Sequence, residues 1–269
     1  MRGRVLIVAG SDSGGGAGIQ GDIKTVTALG GYAASAVTAL TAQNSQGVFG
    51  ILDVPPDFIV QQMRLVLVDI GADCIKIGML HRVPVIDAVC DVLKAEAAGI
   101  PVVVDPVMIA KGGHPLLEDD AVAVLRTRLV PLASVLTPNR PEAEALAGGG
   151  DASADERAAR LLALGPAAVL LKGGHDPGAV VRDVLWERGG TAPMVFEDTR
   201  IDTRHTHGTG CALASAIATG IAQGLAVGPA VARARAYVRE AIRSAPGFGG
   251  GHGPLNHGHT ARAYPPPSD

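Results

Sequence analysis

Val5-Leu-Ile-Val-Ala-Gly-Ser-Asp-Ser-Gly14 is an apolar run of strand length that breaks into a polar glycine turn. The same grammar recurs along the chain. Ala36–Leu40 leads into Thr41-Ala-Gln-Asn44, Cys74–Ile77 into Gly78-Met79, and Val102–Val104 into Asp105-Pro-Val-Met108. Ser134–Leu136 leads into Thr137-Pro-Asn-Arg-Pro-Glu142, and Ala168–Leu171 into Lys172-Gly-Gly-His175. Helix-like segments separate these runs. Continuous Val/Ile/Leu strands alternating with helices predict an α/β fold with a mostly parallel sheet covered on both faces. In such sheets ligands bind outside the carboxyl ends of the strands, and nearly every polar cluster quoted above falls there. After Gly178, Asp183–Glu187 and Val195–Glu197 read as an antiparallel hairpin turned by Gly189-Gly190. Helices dominate from Cys211 to about Ser244. Gly148-Gly-Gly-Asp-Ala-Ser153 reads as a loop, and Ser153 with Glu156 as a capping box for the helix that follows.

The 269 residues suffice for one large core and nothing marks a second domain, so residues 1–269 read as a single domain. The Gly-, His- and Pro-rich end predicts a flexible tail over about residues 260–269. Lys plus Arg is 23 against 26 Asp plus Glu, a net charge of −3, which argues against nucleic acid or an acidic membrane surface as partner. Aromatic residues make up only 3%, too few for base-stacking platforms. The apolar runs are far short of a membrane span, and Met1-Arg-Gly-Arg-Val5 lacks the apolar core of a signal peptide. Cys74, Cys90 and Cys211 are odd in number and widely spaced, which fits a reducing cytoplasm and neither a disulfide framework nor a CxxC zinc site.

Chemistry concentrates in Asp202-Thr-Arg-His-Thr-His-Gly-Thr-Gly-Cys211, which runs into an Ala-rich helix with Leu213, Ile217 and Ile221 on one predicted buried face. A glycine turn opening a helix is an anion site, because unpaired N–H groups and the positive end of the helix dipole converge there. Cys211 sits at that mouth, where a thiol is biased toward thiolate. An anion cradle with a proton acceptor on its rim suits phosphoryl transfer to an alcohol. A tight helix start with a small buried Cys is the competing reading.

The remaining motifs are each ambiguous alone. Gly16-Ala-Gly-Ile-Gln-Gly21 satisfies the dinucleotide GxGxxG string, but the predicted strand ends too early, at Ala9. No acid stands about twenty residues on, where Ala42, Gln43 and Asn44 are found. A loop over Gly10–Asp22 that closes on a small ligand, with Asp12 and Asp22 as polar contacts, is the preferred reading. No Gly-x-x-x-x-Gly-Lys-Ser/Thr is present, so this is no P-loop NTPase. Asp105 and Glu142, with Asn139 three residues before the latter, form a set suited to Mg²⁺. Helix capping by Asn139 with Glu142 in the first turn explains that pair as well. Lys172 offers a point charge for phosphates, or a solvated turn lysine. Met79, Val107 and Met108 would line an apolar pocket or serve as core. His252, His257 and His259 show no metal geometry.

Gly10-Ser-Asp-Ser-Gly-Gly-Gly-Ala-Gly-Ile-Gln20, Thr38-Ala-Leu-Thr-Ala-Gln-Asn44, Asp105-Pro-Val-Met108, Thr137-Pro-Asn-Arg-Pro-Glu-Ala-Glu144, Lys172-Gly-Gly-His175 and Thr206-His-Gly-Thr-Gly-Cys211 closely resemble the hydroxymethylpyrimidine/phosphomethylpyrimidine kinases of thiamine biosynthesis. These are members of the ribokinase superfamily. The resemblance runs from Val5 to about His259. It implies a three-layer αβα sandwich, ATP as donor with Mg²⁺, and two successive phosphorylations of 4-amino-5-hydroxymethyl-2-methylpyrimidine. By the resemblance, Gln43 would hydrogen-bond the aminopyrimidine, with Gly10, Asp22, Met79 and Val107 completing its pocket. Asn139 and Lys172 would lie on the ATP side, with Asp105 and Glu142 at the metal. Gly208, Thr209, Gly210 and Cys211 would form the anion hole, and the Cys211 thiol would take the alcohol proton. A homodimer is a further implication.

Gly21, His205 and Ala212 depart from the family pattern, where Ala, Asn and Thr are common. A pyridoxal or pyridoxine kinase is the neighbouring alternative, disfavoured by Gln43 and the full glycine loop. A non-catalytic sensor on the same fold would have no use for Glu142, Lys172 and Cys211 together. An NAD-dependent oxidoreductase is disfavoured by the misplaced glycine string.

Overall fold

The computed structural model describes residues 1–110, 113–150 and 152–262. The chain runs β1 (Arg4–Asp12), α1 (Gly18–Ala28), β2 (Tyr32–Asn44), β3 (Gly47–Asp53), α2 (Pro56–Asp69), β4 (Cys74–Ile77), α3 (Val83–Glu96) and β5 (Val102–Val104). It continues with α4 (Asp119–Val124), β6 (Val135–Leu136), α5 (Arg140–Ala147), α6 (Ala154–Ala163), β7 (Ala168–Leu171), β8 (Val180–Glu187), β9 (Met194–Thr199), α7 (Thr209–Ala222) and α8 (Val227–Arg243). The strands form one sheet in the order β3-β2-β1-β4-β5-β6-β7-β8-β9. Pairing is parallel from β2 through β7 and antiparallel at β2–β3, β7–β8 and β8–β9.

Period-two alternation in β1 splits the core. Leu6 and Val8 face a cluster with Ile59, Met63, Ile86, Val89, Leu146 and Leu161, whereas Val5, Ile7 and Ala9 face Val26, Ala214, Ile217, Ala234 and Val238. Helices α2 to α6 therefore cover one face, and α1, α7 and α8 the other. This is the three-layer sandwich. Because β1 pairs with both β2 and β4, the chain reverses its direction of travel across the sheet there. The carboxyl end of β1 is thus the switch point at which such sheets bind ligands.

Three expectations need correction. Strand β1 runs past Ala9 through a bulge to Asp12, so the glycine loop is shorter than predicted and Asp22 lies inside α1. The Ala36–Leu40 run is part of a long hairpin, β2–β3, turned by Asn44, whose Oδ1 accepts from Gln46 N (2.8 Å) and Gly47 N (3.3 Å). Its partly exposed edge position blurs the apolar run that marks a buried strand. Helix α7 is buried all round from Ala212 to Gly220 rather than on one face, and Ile221 is only half-buried. It is sandwiched between the sheet and α8, and a Cβ at Gly220 would stand 2.9 Å from that of Ala230. The predicted capping box at Ser153 and Glu156 is present.

The closing segment is packed as far as it is described. Leu255 joins the core beside α7 and α8, Tyr237 Oη donates to the His257 carbonyl (2.6 Å), and Thr260 Oγ1 donates to the Ala28 carbonyl (2.7 Å). The rest of the expected tail, 263–269, lies outside the described residues. His257 is buried, and burial first, then Lys24, pushes its imidazole down to about 4. The unfolded chain takes up this proton near pH 6.5 and the folded chain only near 4, so stability falls as pH drops through that window. The share is up to about 3 kcal/mol. Thermal melts between pH 7 and 4 are expected to show His257→Phe losing this part of the acid sensitivity. Among the described residues no helix is long and apolar enough to cross a membrane.

Candidate active site

Helix α7 begins without a side-chain cap. Its N-cap, Gly208, takes φ +87°, a left-handed conformation that glycine tolerates best. A Cβ there would also lie 1.9 Å from the Gly16 carbonyl oxygen, so the turn and the glycine loop touch backbone to backbone. By contrast α5 and α6 both carry complete capping boxes. The α7 N-terminus is thus left facing the carboxyl ends of the strands with its dipole unanswered by a side chain.

Beside it stands a cation between two carboxylates. Lys172 Nζ lies 2.8 Å from Asp105 Oδ1 and 3.8 Å from Glu142 Oε2. A Cβ on Gly210 would meet Asp105 Oδ2 at 3.3 Å and Lys172 Nζ at 3.5 Å, so glycine lets this cluster approach the turn. Burial pushes the Glu142 carboxyl up to about 7 despite Lys172, and Asp105 adds to the rise. Burial works against the Lys172 charge, but Asp105 and Glu142 outweigh it and hold the ammonium above its usual value. Asn139 Oδ1 accepts from Glu142 N (3.0 Å), and Glu142 Oε2 accepts from Asn139 N (2.8 Å). The capping reading of this pair is therefore realised, and the Glu142 carboxylate still faces Lys172. Two carboxylates partly neutralised by one lysine fit a Mg²⁺ that keeps waters and phosphate oxygens as its main ligands. They do not make an all-protein cage, and among the described residues no group of three or more His, Cys, Asp or Glu is placed to hold a metal.

Below the turn lies a second ion pair. Lys76 and Asp22 are both fully buried, with Nζ 2.7 Å from Asp22 Oδ2, and Ser215 Oγ donates to Asp22 Oδ1 at 2.7 Å. Asp22 is not among the residues that line the cavity described below, and its carboxylate is paired with Lys76 and Ser215. A lysine inside the apolar strand Cys74-Ile-Lys-Ile77 was the available signal, because a buried charge must be paired. Cys211 also differs from expectation. Burial pushes its thiol up to about 12; Lys76 pulls it down, while Asp22 and Asp105 push it further up. Desolvation outweighs the helix N-terminus, and the thiol is protonated at neutral pH.

The glycine loop is folded around Asp12, which accepts from Gly14 N (2.8 Å), Gly16 N (3.1 Å) and Ala17 N (2.8 Å). N–H groups that a dinucleotide fingerprint would aim at a pyrophosphate are spent on this carboxylate. His207 Nε2 lies 2.8 Å from Asp12 Oδ2 and ties the loop to the α7 turn.

Gly10, Gln43, Met79, Asp105, Val107, Asn139, Glu142, Lys172 and the Gly208–Cys211 turn all line one cavity of about 820 Å³ at the switch point. The lysine and the uncapped helix start share this cavity with Met79, Val107 and the Gln43 amide. A charged shelf next to a small apolar slot is suited to moving phosphate onto a buried small molecule, which puts the chain among ribokinase-like small-molecule kinases. A Bacillus subtilis pyridoxal kinase, solved as an ADP complex, superposes with a TM-score of 0.86 at 32% identity, over 96% of this chain and 98% of that one.

The chain belongs to the phosphomethylpyrimidine kinase family, whose pattern it matches over residues 12–256. A hydroxymethylpyrimidine/phosphomethylpyrimidine kinase of Streptomyces coelicolor is 48% identical over 94% of each chain. The thiamine biosynthesis bifunctional protein ThiED of Geobacter sulfurreducens is 52% identical over 95% of this chain, which spans 52% of that relative's length.

Proposed function

We propose that this chain transfers the γ-phosphoryl group of ATP to the hydroxymethyl oxygen of 4-amino-5-hydroxymethyl-2-methylpyrimidine. A second transfer then converts the monophosphate to the diphosphate, in thiamine biosynthesis. The observation that carries the reading is the shared cavity: the Gln43 amide and the α7 turn open into the same space as Lys172 and Asp105. Gln43 reads the pyrimidine edge, while Gly10, Met79 and Val107 enclose the ring. Lys172 and Asn139 hold the nucleotide phosphates. Asp105 and Glu142 would hold a Mg²⁺ that arrives with ATP, which would supply charge neutralisation.

In the transfer the alcohol oxygen bonds to the γ-phosphorus as the bond to the β-bridging oxygen breaks. The N–H groups of Gly208, Gly210 and Cys211 face the charge on the moving group, while Thr209 N donates to the Thr206 carbonyl (3.3 Å) and holds the turn. The alcohol proton passes to Cys211 Sγ as thiolate, late in a loose transition state. In the second transfer the substrate phosphate is the nucleophile and has no proton to lose at neutral pH. The chain acts as one domain in the cytoplasm, and Leu40, Phe49, Leu52, Phe58 and Leu65, exposed along β2, β3 and α2, are where a second copy would dock.

Pyridoxine is the substrate to exclude, since a pyridoxal kinase shares the fold. ADP release is expected to be at least about tenfold faster, as kcat/KM, with the aminopyrimidine than with pyridoxine; a hydrogen-bonding site discriminates by far more than a methylene does. The reverse preference would assign the chain to vitamin B6 salvage.

A further inference from the structure

We propose that His207 is a positioning residue which, with Asp12 and Thr41, fixes the polarity of the Gln43 amide. The cavity thereby selects a heterocycle edge bearing an exocyclic amino donor beside a ring-nitrogen acceptor. This rests on the reading of Gln43 given above.

Asp12 already accepts three backbone N–H groups, and His207 with those of Ala17 and Gly14 outweighs burial to hold its carboxyl below the usual range. An ionised carboxylate only accepts, so His207 Nε2, at 2.8 Å, carries the proton. The Gln43 amide nitrogen stands 3.3 Å from that same Nε2, and the amide oxygen 3.1 Å from Thr41 Oγ1. That orientation sets N–H against N–H at His207. Thr41 Oγ1 has one proton and two oxygens in reach, the Ser11 carbonyl at 2.9 Å and the Gln43 amide oxygen at 3.1 Å, and the shorter contact, to an oxygen that can only accept, takes it. Thr41 therefore offers Gln43 only lone pairs.

A half-turn of the amide, which leaves the heavy-atom positions in place, suits both neighbours. The oxygen then takes a share of the His207 Nε2 proton that chiefly serves Asp12, and the NH₂ group donates to Thr41. Both ends select the same orientation. One oxygen lone pair and one N–H remain, side by side, to read an amino group and the adjacent ring nitrogen.

The frame around them is tight. Gln43 N donates to Ser13 Oγ (2.9 Å), and Ser13 Oγ donates back to the Gln43 carbonyl (2.8 Å). His207 N donates to the Gly253 carbonyl (3.1 Å), and a Cβ on Gly16 would lie 2.5 Å from His207 Cδ2, so the loop backbone seats the ring.

The test uses two substrates, the 4-aminopyrimidine and its 4-oxo analogue, whose protonated N3 and carbonyl reverse the edge. Wild type is expected to favour the amino form by about 10²–10³-fold in kcat/KM, since each reversed pair leaves buried polar groups unmatched. In His207→Leu, and independently in Thr41→Val, that ratio is expected to fall below about tenfold through KM, with kcat for the amino form changing less. Calorimetric affinities for the two heterocycles read the same ratio in any variant too slow to assay. A variant that binds either heterocycle yet keeps the wild-type ratio overturns the inference, as does wild type that accepts both forms equally, which leaves the kinase reading standing. Wild type that neither binds nor phosphorylates either pyrimidine removes the underlying reading and the inference with it.

Discussion

Cys211→Ser is expected to lower kcat by about 10²–10⁴-fold, the usual contribution of a positioned general base, with the melting temperature nearly unchanged. The side chains are close in size and Cys211 begins a helix whose neighbours stay in place, so the loss reports chemistry rather than folding. Its signature is in pH. Burial pushes the thiol up to about 12, so thiolate is the minor form at pH 7 and its share rises with pH. The active fraction therefore grows about tenfold per pH unit. The first phosphorylation in the native protein is expected to climb from pH 7 to 9.5, whereas Cys211→Ser stays flat. The second, whose nucleophile is already an anion, is expected to depend far less on pH. A flat native profile together with an active serine variant would transfer the acceptor role to Asp105, whose Oδ2 already lies against Gly210.

The second large effect is on stability. Asp22→Ala is expected to cost about 3–5 kcal/mol, because it leaves the Lys76 ammonium buried without a counter-ion. At about 2–4 °C per kcal/mol for a chain of this size, the melting temperature falls by roughly 10 °C. Ser215 loses its acceptor in the same variant. The double variant Asp22→Leu/Lys76→Met removes both charges and is expected to recover most of that loss. Differential scanning calorimetry of the three proteins separates the cases. An Asp22→Ala protein as stable as the native one would mean that Lys76 discharges or finds another partner at little cost.

Much of this was legible in the chain because strand ends in a parallel sheet converge. Gly10, Asp105 and Lys172 are far apart in sequence, yet each follows an apolar run, and the topology brings all three to one cavity with the Gly208 turn. What the sequence concealed depends on three-dimensional partners. Asp22 and Asp12 look equivalent as acids flanking a glycine loop, but one is consumed by Lys76 and the other by loop N–H groups and His207. The Cys211 ionisation is hidden in the sequence for a similar reason. A helix N-terminus is visible in Gly-Thr-Gly-Cys, whereas the desolvation that overrides it arises from the packing of α7 against the sheet. The hairpin β2–β3 is not legible in the sequence because its strands are half-exposed and carry no continuous apolar run.

The central claim is two successive phosphoryl transfers onto one pyrimidine, and ³¹P NMR of the purified protein with Mg²⁺–ATP tests it most directly. Parallel samples contain the hydroxymethylpyrimidine, its monophosphate or pyridoxine. The account predicts a monophosphate resonance that rises and then gives way to a diphosphate pair, with pyridoxine slow by comparison. ATP left intact in the presence of both pyrimidines, or consumed only with pyridoxine, would contradict it.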